Sequence, residues 1–162
     1  MTRPPLLDPL TLRHTLGAYP TGVALIAAEV QGRTLGMLAN SFTSVSLDPP
    51  LVSMSFAHTS TTWPTLSQAK RLGISALGAG DAARADLLRR PSTDRFEGIK
   101  VHQHEGSAMT LPDAAATFIV ERHSEIEAGD HVVAFFAVVD HSRDHQVTPL
   151  VFHSGTFHAL NA

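Results

Sequence analysis

The chain has 162 residues, of which 43% are hydrophobic and 17% charged, with a formal net charge of −3 and no cysteine. This length and apolar content are enough for one domain with its own core, and they exclude a disordered chain. The negative charge argues against nucleic acid as a partner, and the lack of cysteine excludes disulfides and thiolate metal sites.

A helix is predicted near the N-terminus, after a loose arm at residues 1–7. Asp8 is typical of a helix cap and Pro9 of the first helical position, while Leu12 and Leu16 recur at helical spacing. Two more short helices are predicted where capping residues precede apolar ones: one after Ser60-Thr61-Thr62, and one from Asp81 to Arg90 with Leu87 and Leu88 facing inward.

Strands make up the other predicted elements. The continuous apolar run at 23–28 is typical of a buried strand, and 51–56 alternates as a half-buried strand does. The predicted strands are 23–28, 34–38, 51–56, 72–77, 117–121, 131–139, 150–152 and 156–158, with 92–116 irregular. Because this order lacks regular βαβ alternation, we predict a mainly β fold with short helices, an antiparallel barrel formed by a single domain over 1–162.

The chain's low charge content also bears on assembly and location. An interface between copies removes surface that would otherwise need charged groups, so we expect a homo-oligomer. No apolar segment approaches the length that crosses a bilayer, and no secretory leader is apparent. We therefore expect a cytoplasmic protein without a membrane segment.

The most unusual segment is 36–52, which is polar and small where a core strand would be apolar. Five hydrogen-bonding side chains occupy seven positions: Asn40, Ser41, Thr43, Ser44 and Ser46. Asp48-Pro49-Pro50 then ends the preceding structure, because proline lacks an N–H donor. A dense row of short donors and acceptors beside a buried strand suits a flat polar ligand.

Two other places allow both an ordinary and a functional interpretation. The Ser60-Thr61-Thr62 cluster is either a helix cap or a phosphate cradle at a helix N-terminus. Gly129-Asp130-His131 is either a plain turn or a turn that presents an imidazole at the barrel rim, where it contacts an anionic or redox-active ring. Trp63 is expected in the core or at an interface.

Three further patterns favour no site. Gly78 to Ala83 matches a dinucleotide fingerprint, but Asp81 would put a negative charge where the pyrophosphate sits, so an ordinary strand-to-helix turn is expected. The histidine pairs His102/His104 and His141/His145 lack a third ligand at suitable spacing, so no metal is expected. A serine hydrolase is disfavoured because G-x-S-x-G is absent.

The order of these pieces resembles the flavin reductase family, the reductase components of two-component flavin-dependent monooxygenases. The resemblance extends from residue 10 to residue 160. Its most specific part is Ala39-Asn40-Ser41-Phe42-Thr43-Ser44-Val45-Ser46 followed by Asp48-Pro49-Pro50. Supporting pieces stand in the family's order: Pro20-Thr21-Gly22-Val23, Asp94-Arg95-Phe96-Glu97-Gly98, Ala128-Gly129-Asp130-His131 and 149–155.

The resemblance implies an FMN-binding split β-barrel, a homodimer, and transfer of hydride from NADH or NADPH to FMN or FAD for a partner monooxygenase. Donors at the flavin ring would then stabilise the negative charge that reduction builds. His131 is the implied catalytic residue near the nicotinamide, and no metal is implied. The implied flavin residues are Leu38, Ala39, Asn40, Ser41, Ser44, Val45 and Ser46 at the ring and ribityl chain, with Ser60 and Thr62 at the phosphate.

Three positions depart from the family's common residues. Leu38 stands in place of threonine or another small residue, which removes a possible donor, and Ser75 stands in place of asparagine. Phe136 stands in place of glycine, and this departure predicts narrower access to a bound ring. Two other functions fit the same pattern: a non-catalytic flavin-binding or flavin-carrier protein, and an enzyme that reduces something other than free flavin.

Overall fold

The computed structural model describes residues 7–160, so the predicted arm lies outside the described residues except for Leu7. The helices are α1 (Pro9–Leu16), α2 (Trp63–Leu66) and α3 (Ala82–Leu88). The strands are β1 (Thr21–Gly22), β2 (Ala24–Val30), β3 (Arg33–Ala39), β4 (Thr43–Leu47), β5 (Pro50–Ala57), β6 (Leu72–Ala76), β7 (His102–Gln103), β8 (Met109–Thr110), β9 (Ala116–Ala128), β10 (His131–Arg143), β11 (Leu150–His153) and β12 (Thr156–Ala159). None of the helices within 7–160 has the length and apolar character needed to cross a membrane.

Seven strands form one antiparallel sheet in the order β3-β2-β6-β9-β10-β5-β4, which makes β3 and β4 its two edges. Only Asn40, Ser41 and Phe42 connect these edges, and four peptide steps span at most about 14 Å. The sheet therefore curls until its edges approach at this link, which gives the predicted split barrel. A second sheet, β1-β11-β12, and the pair β7-β8 complete the fold.

Strand β2 is buried on both faces. Ile26 packs inside the barrel with Met54 and Phe56, whereas Leu25 packs on the outer side with Leu88. This explains the uninterrupted apolar run that predicted a buried strand, since both faces of the strand need apolar side chains.

The barrel interior is closed by an aromatic cluster. The rings of Phe56 and Trp63 stack with centroids 3.7 Å apart, and Phe136 meets both edge-on. Trp63 is thus a core residue, as expected. The expectation for Phe136 is wrong: its side chain is fully buried in this cluster, so it does not narrow access to a ligand.

Four short strands, β1, β4, β7 and β8, were not predicted, and β7 and β8 lie within 92–116, which was expected to be irregular. The other differences from prediction concern element ends and exposed faces. Strands β9 and β10 are longer than predicted, because they continue to pair with each other beyond the core, where their residues are polar and exposed. Leu87 points outward and only Leu88 is buried, since neighbouring positions on a helix lie about 100° apart. Helix α3 also ends at Leu88, two residues earlier than predicted.

Helix α1 begins where the sequence predicts. The Asp8 side chain accepts a hydrogen bond from the Thr11 N–H and caps it. The apolar residues Leu12, Leu16 and Tyr19 remain exposed, with no buried residue anywhere in the helix. The periodicity thus predicted the helix, while nothing within 7–160 covers its apolar side chains.

Candidate functional site

Arg95 is bound to the outer edge of β3. Its Nη1 donates to the Gly36 carbonyl at 2.6 Å and to Thr62 Oγ1 at 3.3 Å, while Nε donates to the Arg90 carbonyl at 3.1 Å. Burial of the guanidinium lowers the pKa of Arg95, yet an arginine stays charged in proteins. None of the carboxylates within 7–160 pairs with it, so an uncompensated positive charge lies beside Thr62.

Gly36 is what allows this approach. A Cβ at Gly36 would lie 2.6 Å from the Ile26 carbonyl oxygen and 2.8 Å from the Phe96 ring, closer than real contacts permit. The phenyl ring of Phe96 therefore packs directly on the β3 backbone, and it brings the neighbouring Arg95 to the strand edge.

A cavity of about 250 Å³ opens at the C-terminal end of β3. We call it the β3 cavity. The Arg89 guanidinium lies over the ring of Phe157, 4.5 Å from its centroid, and 5.8 Å from that of Phe152. The cavity thus combines an apolar, aromatic wall with one cation and one amide. Its lining residues are Val23, Leu38, Ala39, Asn40, Arg89, Phe152 and Phe157.

Unpaired backbone groups of β3 lie at this cavity, and an unpaired hydroxyl is buried behind its wall. Backbone groups alternate in direction along a strand, and the Gly36 carbonyl points outward to Arg95, so the N–H and C=O of Leu38 also point away from β2. Thr21 Oγ1 is buried with no hydrogen-bond partner among residues 7–160. Because Thr21 is opposite Phe152 in the β1–β11 register, the two side chains share a face.

Ser41, Ser60 and Thr62 use their hydroxyl oxygens as acceptors within the fold. Ser41 Oγ accepts from the Ser55 N–H at 3.0 Å, and Ser60 Oγ accepts from the Trp63 N–H at 3.1 Å. Thr62 is buried and accepts from Arg95. The Ser41 O–H donates back to the Ser55 carbonyl at 3.3 Å, so Ser41 mainly fastens the β3–β4 link to β5.

The predicted flavin residues fall into two separate groups. Leu38, Ala39 and Asn40 line the β3 cavity. Strand β4 carries Ser44, Val45 and Ser46, with Ser44 opposite Val52 and Ser46 opposite Leu51 of β5. Val45 between them is 46% exposed. Ser41 lies between the two groups and bonds to Ser55, which is three residues, roughly 10 Å, along β5 from the partner of Ser44.

His131 begins β10 opposite Ala57, the residue that leads into the 58–62 loop. Its Nδ1 lies 2.6 Å from Asp130 Oδ1. The hydrogen bond from His131, together with its charge, lowers the pKa of Asp130. His131 is half-exposed and does not line the β3 cavity.

The dinucleotide-like turn at Gly78–Ala83 and the family departure at Ser75 have structural roles. The Asp81 carboxylate accepts the Gly78 N–H at 2.8 Å and pairs with Arg84 at 3.0 Å. The donor that a dinucleotide would need is therefore taken by the turn itself. Ser75 Oγ accepts from the Leu111 N–H at 2.9 Å and fixes the segment that follows β8. Among residues 7–160, no three histidine or acidic side chains are placed to hold a metal.

The residues that the sequence did not single out are Arg95, Arg89, Phe152 and Phe157. Arg95 was present as part of Asp94–Gly98, but in a segment interpreted as irregular. The sequence features that could have indicated this site are the pair Arg95-Phe96 and the small residue Gly36. Their contact depends on long-range packing, so no local pattern predicts it.

Comparison with known proteins identifies the family. Residues 16–161 match the family model described as flavin reductase like domain. A flavin reductase from Pseudomonas putida is 31% identical over 152 residues, which are 93% of this chain and 89% of that protein. The chain therefore belongs to the flavin reductase like domain family.

Other relatives extend the comparison. The stachydrine N-demethylase reductase subunit of Rhizobium meliloti is 38% identical over 129 residues, 79% of this chain and 56% of that protein. The NADH:FAD oxidoreductase of Streptomyces globisporus, solved with NAD and FAD fragments, superposes with a TM-score of 0.88 at 30% identity and 96% coverage of both chains. The chain spans 56% and 42% of the first two curated relatives it matches, about half their length.

Proposed function

We propose that this chain is an NAD(P)H:flavin oxidoreductase that transfers hydride from a reduced nicotinamide to FMN or FAD. The reduced flavin would be supplied to a partner monooxygenase, as the names of several relatives indicate for those proteins. The single observation that carries the proposal is the outer edge of β3, where unpaired backbone groups at Leu38 adjoin the uncompensated charge of Arg95.

The groups at the β3 cavity fit a flavin ring. The pyrimidine side of a flavin alternates carbonyl oxygens with an N–H, which matches the outward backbone groups of Leu38 and the Asn40 amide. Leu38 in place of threonine removes one side-chain donor and leaves an apolar contact for the ring.

The flavin phosphate would be bound by Ser60, Thr62 and Arg95. Both hydroxyls accept hydrogen bonds within the fold, and Thr62 keeps its own hydrogen for a phosphate oxygen. The Ser60 hydroxyl donates to Met37 Sδ at 3.8 Å, a weak bond that a phosphate oxygen would replace. Helix α2 has only four residues, too short for the helix N-terminus that the sequence suggested as the source of attraction. We assign that attraction to the Arg95 charge instead.

A bound flavin would supply the hydride acceptance, and this chain's residues would bind, orient and exclude water. His131 is proposed to position the nicotinamide. Since Asp130 occupies its Nδ1, Nε2 remains the ring nitrogen available to a ligand. Asp130 thereby fixes the imidazole without itself contacting the substrate.

We also propose a homodimer in the cytoplasm, where reduced nicotinamide is available. Leu47 is 90% exposed and Val45 46% exposed on β4, an edge strand without a neighbour on its outer side in the described chain. Exposed edge strands favour pairing with another chain. In such a dimer Ser44, Val45 and Ser46 would reach the flavin of the partner copy, which reconciles them with the distant β3 cavity.

The experiment is NADH and NADPH oxidation with riboflavin, FMN or FAD added. We expect turnover that depends on added flavin, with reduced flavin released to an oxygenase. A protein that binds flavin tightly and is bleached by neither nucleotide would instead be a carrier. Oxidation of the nucleotide without any flavin would point to another acceptor.

A further inference from the structure

A second cavity, of about 210 Å³, adjoins Thr62 on the side away from the β3 cavity. It lies between the β2–β3 hairpin, the start of α2 and the loop after α3, and we call it the hydroxyl cavity. Its polar lining is one guanidinium, one amide and five hydroxyls, from Arg33, Gln31, Thr61, Thr62, Thr65, Ser92 and Thr93.

The hydroxyl cavity is suited to an anion. No carboxylate lines it, and Arg33 forms no salt bridge with any residue in 7–160. Arg95 adds a second positive charge behind the cavity, because its Nη1 lies 3.3 Å from Thr62 Oγ1. Hydroxyl donors around a guanidinium are the groups that bind phosphate oxygens.

The order of sites along β3 suggests which phosphate. Leu38 lines the β3 cavity, Gly36 holds Arg95 beside Thr62, and Arg33 lines the hydroxyl cavity. Leu38 and Arg33 are five residues apart, roughly 17 Å along a strand. A ligand with its ring at Leu38 and its first phosphate at Thr62 would direct a second phosphate toward Arg33.

We propose that the hydroxyl cavity binds the second phosphate of a diphosphate-linked nucleotide, with Arg33 as the residue that distinguishes such a ligand from a monophosphate. Its volume equals the liquid volume of roughly seven waters, enough for phosphate but too little to enclose a whole dinucleotide. The proposal rests on the proposed function, since both use Thr62. FAD and the nicotinamide nucleotide share this diphosphate, and the test separates them.

The test is binding of riboflavin, FMN, FAD and NAD⁺ to wild type and Arg33→Ala, measured by flavin fluorescence quenching and calorimetry without turnover. Loss of a charged hydrogen bond to phosphate should weaken FAD about 10-fold. FMN and riboflavin should stay within about 2-fold, because they lack the second phosphate. Thr93→Val should weaken FAD in the same direction but less, and Arg143→Ala, at the far end of β10, serves as the matched control.

The outcomes are distinct. A loss confined to FAD supports the flavin as the source of the diphosphate, and a loss confined to NAD⁺ with FMN bound supports the nicotinamide nucleotide. Equal losses for FMN and FAD, or none with any ligand, overturn the proposal. If the wild type reduces no flavin but Arg33→Ala still loses affinity for FAD alone, the proposed reductase function is refuted and the proposed phosphate subsite is supported.

Discussion

The two edge strands of the seven-stranded sheet, β3 and β4, differ in how far other residues cover them. The outer side of β3 is covered by its own chain, with Arg95 on the Gly36 carbonyl and Phe96 packed on the backbone. Within residues 7–160 the outer side of β4 has no such cover, and Leu47 there is 90% exposed. Both edges come from the same short segment of sequence, joined by Asn40–Phe42.

The difference indicates two uses of an unpaired strand edge. Side chains cover the β3 edge at Gly36 and leave the backbone N–H and C=O of Leu38 free. One free donor and one free acceptor suit a small ligand with matching groups. Leaving β4 bare exposes a whole row of backbone groups, which suits another strand or a partner surface. The predictions that follow separate a ligand edge from an assembly edge.

The largest effect is expected at β4. Replacing Val45 and Leu47 together with aspartate would bury two carboxylates in the proposed dimer, at about 2 kcal/mol or more each. Dimerisation should weaken by about 1000-fold, measured by sedimentation equilibrium. Leu87→Asp, an exposed leucine on α3, is the matched control. A wild type that is already monomeric at micromolar concentration, or an unchanged mass in the double variant, would remove the assembly role of this edge.

The next effect is expected at β3. Arg95→Ala should weaken FMN roughly 10- to 100-fold by loss of a charged phosphate contact, while riboflavin, which has no phosphate, changes much less. The measurement is the ratio of the two dissociation constants. Arg95→Lys keeps the charge and should recover part of the FMN affinity. Thermal melting controls for the lost bond to Gly36, and equal losses for FMN and riboflavin would mean that Arg95 is only structural.

The sequence predicted the fold well because local patterns matched tertiary demands. The run at 23–28 is apolar on both faces because β2 is buried on both. The site was predicted only in part. Of the residues predicted to bind flavin, Leu38–Asn40 line the β3 cavity and Ser44–Ser46 lie on β4, and their adjacency in sequence did not reveal that they belong to two edges of the sheet.

Two physical reasons explain what was missed. The Asn40-Ser41 link and strand β4 share the same small polar residues, so composition does not show where the β3 edge ends and the β4 edge begins. Arg95 reaches Gly36 across 59 positions of sequence, and no local period encodes such a contact. Phe136 was expected to narrow access to a bound ring, because it stands in place of the family's common glycine. Its contacts with the stacked pair Phe56–Trp63 place it in the core, and these contacts are also long-range.

A smaller effect is expected at the link between the two edges. Asn40→Asp places a carboxylate at the rim of the β3 cavity, near the reducible ring, and should weaken flavin about 10-fold. Ser44→Asp, on β4, sharpens the comparison. If β4 reaches a flavin only across the dimer, its effect should disappear in the Val45/Leu47 double variant, whereas that of Asn40→Asp should persist. Unchanged flavin affinity in Asn40→Asp would refute the placement of Asn40.

The smallest effect on binding is expected at His131, which lies on neither edge. Loss of one positioning hydrogen bond in His131→Ala should lower turnover with NADH about 5- to 10-fold and leave flavin affinity nearly unchanged. Asp130→Asn provides a readout that a purely structural role would not give. Without the Asp130 charge the imidazole loses its fixed orientation, so turnover should fall while the fold and the flavin spectrum stay the same. If flavin retention collapsed in His131→Ala instead, the histidine would belong to the flavin site and not to the nicotinamide.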